Sequence, residues 1–309
     1  CIFLCIFIFY HKHEIRESPH ERFRSVSVPA CMSAKPEMRA VSRPLQIDKL
    51  RVILYTVHNI MLLYQTNKVL AKRIQKGRTM DKNNIPVIFF NRELVEEDLE
   101  RWDQVYYVGA KAFGSGMMEG QIAAAAFLDD PSVDKNQDGV YQYVVLEGEP
   151  GHQDAIVRTE YSVNTIVSSG IEVEKLGYAI ANWNRAQAHN KMTQLLSQNG
   201  SNIELVIANN DDMAVGAIDA LKASDLSREE WPVVVGIDGT DVGLEAVKNG
   251  EMAGTVYNDK EGQAKGMLEL AFALATNGSL DDLNLENRKY IRLPYAKVGP
   301  DDVDEYMNR

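Results

Sequence analysis

The sequence predicts an α/β fold built on an open, doubly wound parallel sheet. From residue 84 onward, short apolar runs alternate with longer segments of helical composition, and the connections between them are short. Such alternation is typical of parallel strands flanked by helices. The chain has 309 residues, which is long enough for two domains of ordinary size and a large core.

The composition changes abruptly near residue 83. Residues 1–83 hold 15 Lys and Arg against 6 Asp and Glu, whereas residues 84–309 hold 18 against 38. The three cysteines all fall in residues 1–83, which excludes a disulfide framework or a cysteine metal site in the remainder. The net charge of -11 disfavours nucleic acid and anionic membranes as partners.

Residues 1–83 show no recognisable fold pattern. The apolar run over residues 1–10 is too short to span a bilayer, and it lacks the basic residues and the cleavage site of a secretory signal. Residues 45–70 are apolar enough for a buried helix or strand, but they lack strand–helix punctuation. We interpret residues 1–83 as a segment that does not match the rest, either disordered or read out of frame.

The regular part of the sequence predicts strands and helices in alternation. It begins with a strand over residues 85–90, a charged turn or short helix over residues 93–101, a strand over residues 105–109 and a small-residue helix over residues 114–127. Further strands are predicted at residues 141–146, 172–179, 203–208, 233–237 and 253–257, and helices at residues 154–169, 184–198, 211–223, 240–249 and 259–276. Ligands of such sheets bind at the carboxyl ends of the strands, so the residues that follow each strand are the candidate site.

Polar and aromatic side chains follow these strands. They are Asn91, His152, Asp154, Arg158, Trp183, Asn209, Asn210, Asp211, Asp238, Asn258 and Asp259. Singly, each has a structural alternative, because Asp and Asn cap helices and a lone Trp is more often part of a core. Together, planar amides, carboxylates, one Arg, one His and one Trp suit the hydroxyls and the C–H face of a sugar. Since no nucleophile arrangement, phosphate loop or zinc spacing accompanies them, we predict a binding protein and not an enzyme.

A second motif lies at residues 134–142. Oxygen-bearing side chains occur at the first, third, fifth and ninth positions, and Gly139 occupies the sixth, as in the front of an EF-hand calcium loop. The twelfth position, which is a bidentate Glu in an EF-hand, is Val145. The residues alone therefore leave two alternatives, a solvated acidic turn or a calcium site whose last ligand comes from elsewhere in the chain.

Four segments carry a family resemblance, at residues 85–91, 148–158, 207–211 and 254–259. They resemble the galactose/glucose-binding branch of the type I periplasmic substrate-binding proteins of ABC sugar transporters, over about residues 84–309. The resemblance implies two α/β lobes, with parallel sheets flanked by helices, that close on one hexose. The implied sugar contacts are Asn91, His152, Asp154, Arg158, Trp183, Asn210, Asp238 and Asn258. The implied calcium ligands are Asp134, Asn136, Asp138, the Val140 carbonyl, Gln142 and the remote Glu204.

The resemblance also implies how the chain is divided and what it does. We expect residues 84–128 to be a remnant of an incomplete first lobe, residues 129–276 a second lobe with the calcium loop, and residues 277–309 a hinge return and C-terminal segment. The implied function is that of a calcium-containing, monomeric protein that binds galactose or glucose and delivers it to an ABC permease and a chemoreceptor. The implied location is periplasmic or extracellular, with a lipoprotein anchor as an option. We expect the incomplete first lobe to impair binding. The alternatives are a sugar-responsive transcription-regulator effector domain and a non-functional gene fragment.

Overall fold

The computed structural model describes residues 86–93, 96–100 and 102–309. The interpretation of residues 1–83 therefore lies outside the described residues. Within the described part, no helix is both long enough and apolar enough to cross a bilayer.

Strands and helices alternate as the sequence predicts. The strands are β1 Val87–Phe90, β2 Val105–Gly109, β3 Val140–Glu147, β4 Glu172–Ile180, β5 Leu205–Ala208, β6 Val233–Asp238, β7 Gly254–Asn258, β8 Tyr290–Arg292 and β9 Tyr295–Val298. The helices are α1 Glu96–Glu100, α2 Ala112–Asp129, α3 Gln153–Ser168, α4 Arg185–Asn199, α5 Asp211–Lys222, α6 Asp241–Lys248, α7 Lys260–Thr276 and α8 Val303–Met307.

Two sheets organise these elements. One has three parallel strands in the order β1-β2-β8, and the other has six in the order β4-β3-β5-β6-β7-β9. All pairs in the larger sheet are parallel except β7 with β9, which is antiparallel. The predicted fold class, α/β with parallel sheets flanked by helices, is confirmed.

The central strands of the larger sheet, β3, β5, β6 and β7, are buried on both faces. Along β3, Tyr141 and Val145 face a core shared with α2 and α3, whereas Val144 and Leu146 face a core shared with α4, α5 and α6. Successive side chains of a strand point to opposite faces, and a strand covered on both faces reads as a continuous apolar run. This arrangement explains why the strands were recognisable from their composition.

The helix α2 falls mostly within residues 84–128, which we expected to form the remnant of the first lobe. It packs along α3 and against β6, β7 and β9 of the larger sheet. The close approach depends on two glycines, because a Cβ at Gly116 would lie 2.7 Å from the Arg158 carbonyl oxygen and one at Gly120 would lie 2.4 Å from the Ser162 carbonyl oxygen. The reverse holds for α7, which was predicted in the second lobe but packs on β1 and β2.

The chain passes between the two sheets at three places. It leaves β2 for α2 through residues 110–111, leaves β7 for α7 through residue 259, and leaves β8 for β9 through residues 293–294. Lys111 and Glu286 form an ion pair of 3.2 Å that ties the first crossing to the turn before β8. Three segments of the chain therefore join the two sheets.

Candidate functional site

The eight predicted sugar contacts are all described, and they lie at the carboxyl ends of the strands. Arg158, 5% exposed on α3, is at their centre. Its Nη1 donates to the Asn209 carbonyl oxygen at 2.7 Å, and its Nη2 donates to Asp238 Oδ1 at 3.2 Å. Its guanidinium carbon is 5.8 Å from the centroid of the Trp183 ring. The arginine thus joins residues that follow three different strands.

The hydrogen bonds of His152 show which of its two ring nitrogens can donate to a ligand. Its Nδ1 accepts a hydrogen bond of 3.2 Å from the Asp154 backbone N–H, which caps the N-terminus of α3. Burial, together with the charges of Arg92 and Arg158, lowers the pKa of His152 to about 4, so the ring is neutral at pH 7. With Nδ1 accepting, the remaining hydrogen is on Nε2, which can donate to a ligand oxygen.

Two carboxylates lie on either side of Arg158. Burial raises the pKa of Asp154, and the positive charges of Arg158 and Arg92 act against this rise. Burial likewise raises the pKa of Asp238, against the charge and the hydrogen bond of Arg158. Partly desolvated carboxylates beside a buried guanidinium can accept hydrogen bonds from hydroxyl groups without attracting a second cation.

Three of the predicted contacts have an unusual backbone. The φ angles of Asn91, Trp183 and Asp238 are 60°, 60° and 114°, although none of them is glycine. Residues in such conformations are uncommon and gather at ligand sites, where the surrounding structure holds them. The indole of Trp183 is also seated against Gly148, since a Cβ there would lie 2.2 Å from the ring. The local geometry therefore fixes the direction of the aromatic side chain.

The smaller sheet contributes Asn91, and it meets the larger sheet at the candidate site. Asn258 Nδ2 donates to Asn91 Oδ1 at 3.4 Å, across the two lobes. Asn258 Oδ1 in turn accepts from Gln263 Nε2 at 2.7 Å. The structure brings seven of the predicted contacts together in this way.

Asn210 has a different local role. Its Oδ1 accepts from the Met213 backbone N–H at 3.0 Å, as an N-cap of α5. Asp211 and Asp259 are also structural: Asp259 caps α7, and Asp211 accepts from Thr240 and Thr255. Burial raises the pKa of Asp211 to about 7. The capping alternative is thus confirmed for Asp259, whereas Asp211 lies inside α5 and joins Thr240 and Thr255.

Sequence reasoning missed two residues of the site. Tyr295, the first residue of β9, hydrogen-bonds Arg158 and Ser115, and the pKa of its phenol is raised chiefly by burial. Asn209 is among the polar residues that follow the strands, but it is not among the implied sugar contacts. Its side chain is fully buried and joins Gly148 N to Thr159 Oγ1. A tyrosine in a short antiparallel strand near the C-terminus gives no signal in the sequence that it reaches the other strand ends.

The predicted calcium loop is closed by hydrogen bonds to its own acidic side chains. Asp134 accepts from the backbone N–H groups of Asp138 and Gly139 at 3.1 and 2.9 Å. Gly139 has φ of 79°, the conformation that the sixth position of such a loop requires. Glu204, which is 1% exposed, accepts from the backbone N–H groups of Lys135 at 2.6 Å and Gln142 at 3.2 Å.

The donor set fits a hard cation only if two amides turn. The side-chain nitrogens of Asn136 and Gln142 both donate to Asp138 Oδ2, at 2.8 and 2.9 Å, while Gln142 Oε1 is buried without a partner. With an ion beside Asp138, turning each amide would direct its oxygen toward that ion. For Asn136 this would give up the hydrogen bond of 3.0 Å that its Oδ1 accepts from the Asp138 backbone N–H. Among the described residues, no group of three or more His, Cys, Asp and Glu is arranged to hold a metal, so the site depends on these amide oxygens.

Comparison with known proteins gives one consistent result. Residues 78–279 match the family described as periplasmic binding protein domain. The D-galactose/methyl-galactoside binding periplasmic protein MglB of Haemophilus influenzae is 37% identical over 229 residues, which cover 73% of this chain and 68% of that protein. An ABC transporter solute binding protein of Bacillus halodurans with bound myo-inositol has a TM-score of 0.60 and 25% identity, and covers 84% of this chain and 82% of its own. A solute binding protein of Actinobacillus succinogenes with bound D-allose has a TM-score of 0.64 at 21% identity, over 84% of this chain and 94% of its own.

Proposed function

Because the chain belongs to the family of periplasmic binding protein domains and has their type I fold, we propose that it is a sugar-binding protein of an ABC transporter, with galactose or glucose as its ligand. The observation that carries the proposal is the arrangement around Arg158, where two carboxylates, a neutral histidine and an aromatic ring meet at the strand ends. The MglB protein of Haemophilus influenzae, named for galactose, supports the choice of a hexose.

The proposed contacts follow from the chemistry of each group. His152 Nε2 and the Arg158 guanidinium would donate to sugar oxygens, whereas Asp154 and Asp238 would accept from sugar hydroxyls. Asn91 and Asn258, from the two lobes, can do both. The Trp183 ring would pack on the C–H face of the sugar. Binding would therefore hold the lobes together, as a polar ligand shared by both sides favours the closed form.

Calcium is the second part of the proposal. We place it in the loop of residues 134–142, with Asp134, Asn136, Asp138, the Val140 carbonyl, Gln142 and Glu204 as ligands. The loop precedes β3 and Glu204 precedes β5, so this site lies at the amino ends of the strands, opposite the sugar. When bound, the ion would supply positive charge to three carboxylates and join two neighbouring strands. Its role would be to stabilise the second lobe.

The proposed partners are a membrane permease and, as a further possibility for test, a chemoreceptor, with the protein acting as a monomer in the periplasm. Both kinds of partner would recognise the lobes in their closed arrangement. We also propose that binding is impaired, since residues 1–83 do not carry the first-lobe pattern that the resemblance implies.

A ligand titration tests the function. We expect saturation-transfer NMR to detect galactose or glucose bound on the order of millimolar or weaker, and calorimetry to detect no micromolar binding. The signal should disappear in Asp154→Ala, while myo-inositol and D-allose, which related proteins bind, should give none. Absence of every sugar signal at millimolar ligand would contradict sugar binding. Micromolar affinity would instead show that a complete first lobe is dispensable.

A further inference from the structure

A buried carboxyl group lies between α2 and α3, outside the proposed sugar and calcium sites. It belongs to Glu119, whose exposed fraction is 0%. Its Oε2 is 2.5 Å from Ser162 Oγ, and its Oε1 has no hydrogen-bond partner. An ionised carboxylate that is fully buried normally has a cation or several donors beside it, and Glu119 has one hydroxyl group.

Counting hydrogens shows which form of the carboxyl group fits. Ser162 Oγ lies within hydrogen-bond distance of three oxygens, namely Glu119 Oε2, the Arg158 carbonyl at 2.8 Å and the Gly116 carbonyl at 3.1 Å. Carbonyl oxygens only accept, and a serine hydroxyl has one hydrogen. If Glu119 were ionised, one hydrogen would serve three acceptors. If it is protonated, it donates to Ser162 Oγ and the hydroxyl hydrogen serves the carbonyls.

We propose that Glu119 is kept as a neutral carboxylic acid whose proton fastens α2 to α3 beneath Arg158, and that losing this proton at alkaline pH loosens the interface. The helices α2 and α3 are in close contact around Glu119, because Gly116 and Gly120 have no side chains to hold the two backbones apart. A charged group in this position can be neither solvated nor moved aside. The proton is therefore part of the packing.

The charges around Glu119 act in both directions. Burial is the largest influence and raises the pKa of Glu119 to about 8. The hydrogen bond of Ser162 and the charge of Arg158 lower this pKa, whereas the negative charges of Asp211 and Asp238 raise it further. Tyr295 of β9 also faces this end of α2, through Ser115. The guanidinium of Arg158 donates to the Asn209 carbonyl oxygen and to Asp238 Oδ1, both on the side of the strand ends.

The direction of the pH effect follows from linkage. A carboxyl group whose pKa is higher in the folded than in the unfolded state contributes stability that is fully present below the unfolded value of 4.5 and is lost as pH rises to about 8. The thermal midpoint of the wild-type chain should therefore fall between pH 5 and pH 9. Glu119→Gln keeps a donor to Ser162 and cannot ionise, so it should remove the part of this fall that Glu119 causes and leave the part that Asp211, whose pKa burial raises to about 7, contributes.

The experiment compares thermal midpoints of the full chain between pH 5 and pH 9. We expect Glu119→Gln to melt at least about 5 °C above wild type at pH 9 and close to it at pH 5. The control is Glu160→Gln, which removes the same charge from an exposed position of α3 and should follow wild type. Infrared spectra of the wild type at pH 7 should show the carbonyl band of a protonated acid, which Glu160→Gln keeps at full intensity and Glu119→Gln reduces to the part that the buried Asp211 contributes. Parallel midpoints of wild type and Glu119→Gln at every pH would overturn the proposal, and so would absence of the band in wild type.

Discussion

Replacing Arg158 with Met is expected to lower the thermal midpoint by roughly 5–10 °C and to abolish sugar binding. The substitution keeps an unbranched apolar stem, but it leaves Asp238 without its counter-ion and the Asn209 carbonyl without its donor. Breaking a buried ion pair costs about 3–5 kcal/mol, and we expect the lower part of this range because the Asp238 side chain is 30% exposed. Differential scanning calorimetry measures the shift.

Arg185→Met is the control, because it also removes an arginine that forms an ion pair but does so at the surface. Arg185 pairs with Asp219 at 2.6 Å, but both side chains are at least one third exposed. Exposed pairs contribute at most about 1 kcal/mol, so Arg185→Met should change the midpoint little. Adding Asp238→Asn to Arg158→Met should recover part of the stability, because it removes the uncompensated charge. Equal midpoints for the two arginine variants would show that Arg158 is not the centre of the site.

The strand ends could be predicted because they depend on local signals. Strands that are covered on both faces are recognisable as apolar runs. Because the strands are parallel, the polar residue after each run lies at the carboxyl end of its strand, where ligands bind. This reasoning places Asn91, Asp238 and Asn258 at the carboxyl ends of their strands, where the structure has them. It could not separate ligand contacts from caps, since Asn210 and Asp211 look alike in sequence and differ only in the partners they meet.

The side on which α2 packs could not be predicted. Its sequence is rich in Gly and Ala, so neither face has a distinct apolar pattern that would indicate a partner. The packing depends on the spacing of Gly116 and Gly120, whose importance becomes visible only against the α3 backbone. The same limit concealed Glu119, because a single carboxylate in a helix of small residues usually faces solvent. Its burial is a consequence of tertiary contact and not of local sequence.

The proposed calcium loop shows how a long-range contact completes a local pattern. Residues 134–142 alone match an ordinary acidic turn as well as a metal site. Glu204, which lies 69 residues after Lys135, accepts from the backbone of this loop with both carboxylate oxygens. A buried glutamate that faces an acidic loop is costly without a cation, and burial raises the pKa of Glu204. This arrangement supports the proposed calcium site more strongly than the loop sequence does.

Removing Asp134 and Asp138 together, by substitution with Ala, is expected to abolish calcium-dependent stabilisation. For the wild type, calcium at about 100 times its dissociation constant would add about 2.7 kcal/mol, which corresponds to roughly 5–10 °C in the midpoint. The variant should melt at the same temperature with calcium and with a chelator. Each protein is compared with itself, with calcium and with a chelator. The variant lacks the hydrogen bonds that Asp134 accepts from the loop in both media, so any difference between the two midpoints is due to the metal.

The position of the loop makes this prediction specific. Asp225→Ala with Asp282→Ala removes the same two charges from exposed positions and should keep the full response to calcium. Hydrogen exchange should slow at β3 and β5, which the ion would join, and not at β1 or β2 of the other sheet. Sugar binding should be unchanged in saturating calcium, because the loop is at the amino ends of the strands and the sugar contacts are at the carboxyl ends. A wild-type midpoint that does not respond to calcium would exclude the site, and a response that survives in the Asp134 and Asp138 variant would place the ion elsewhere.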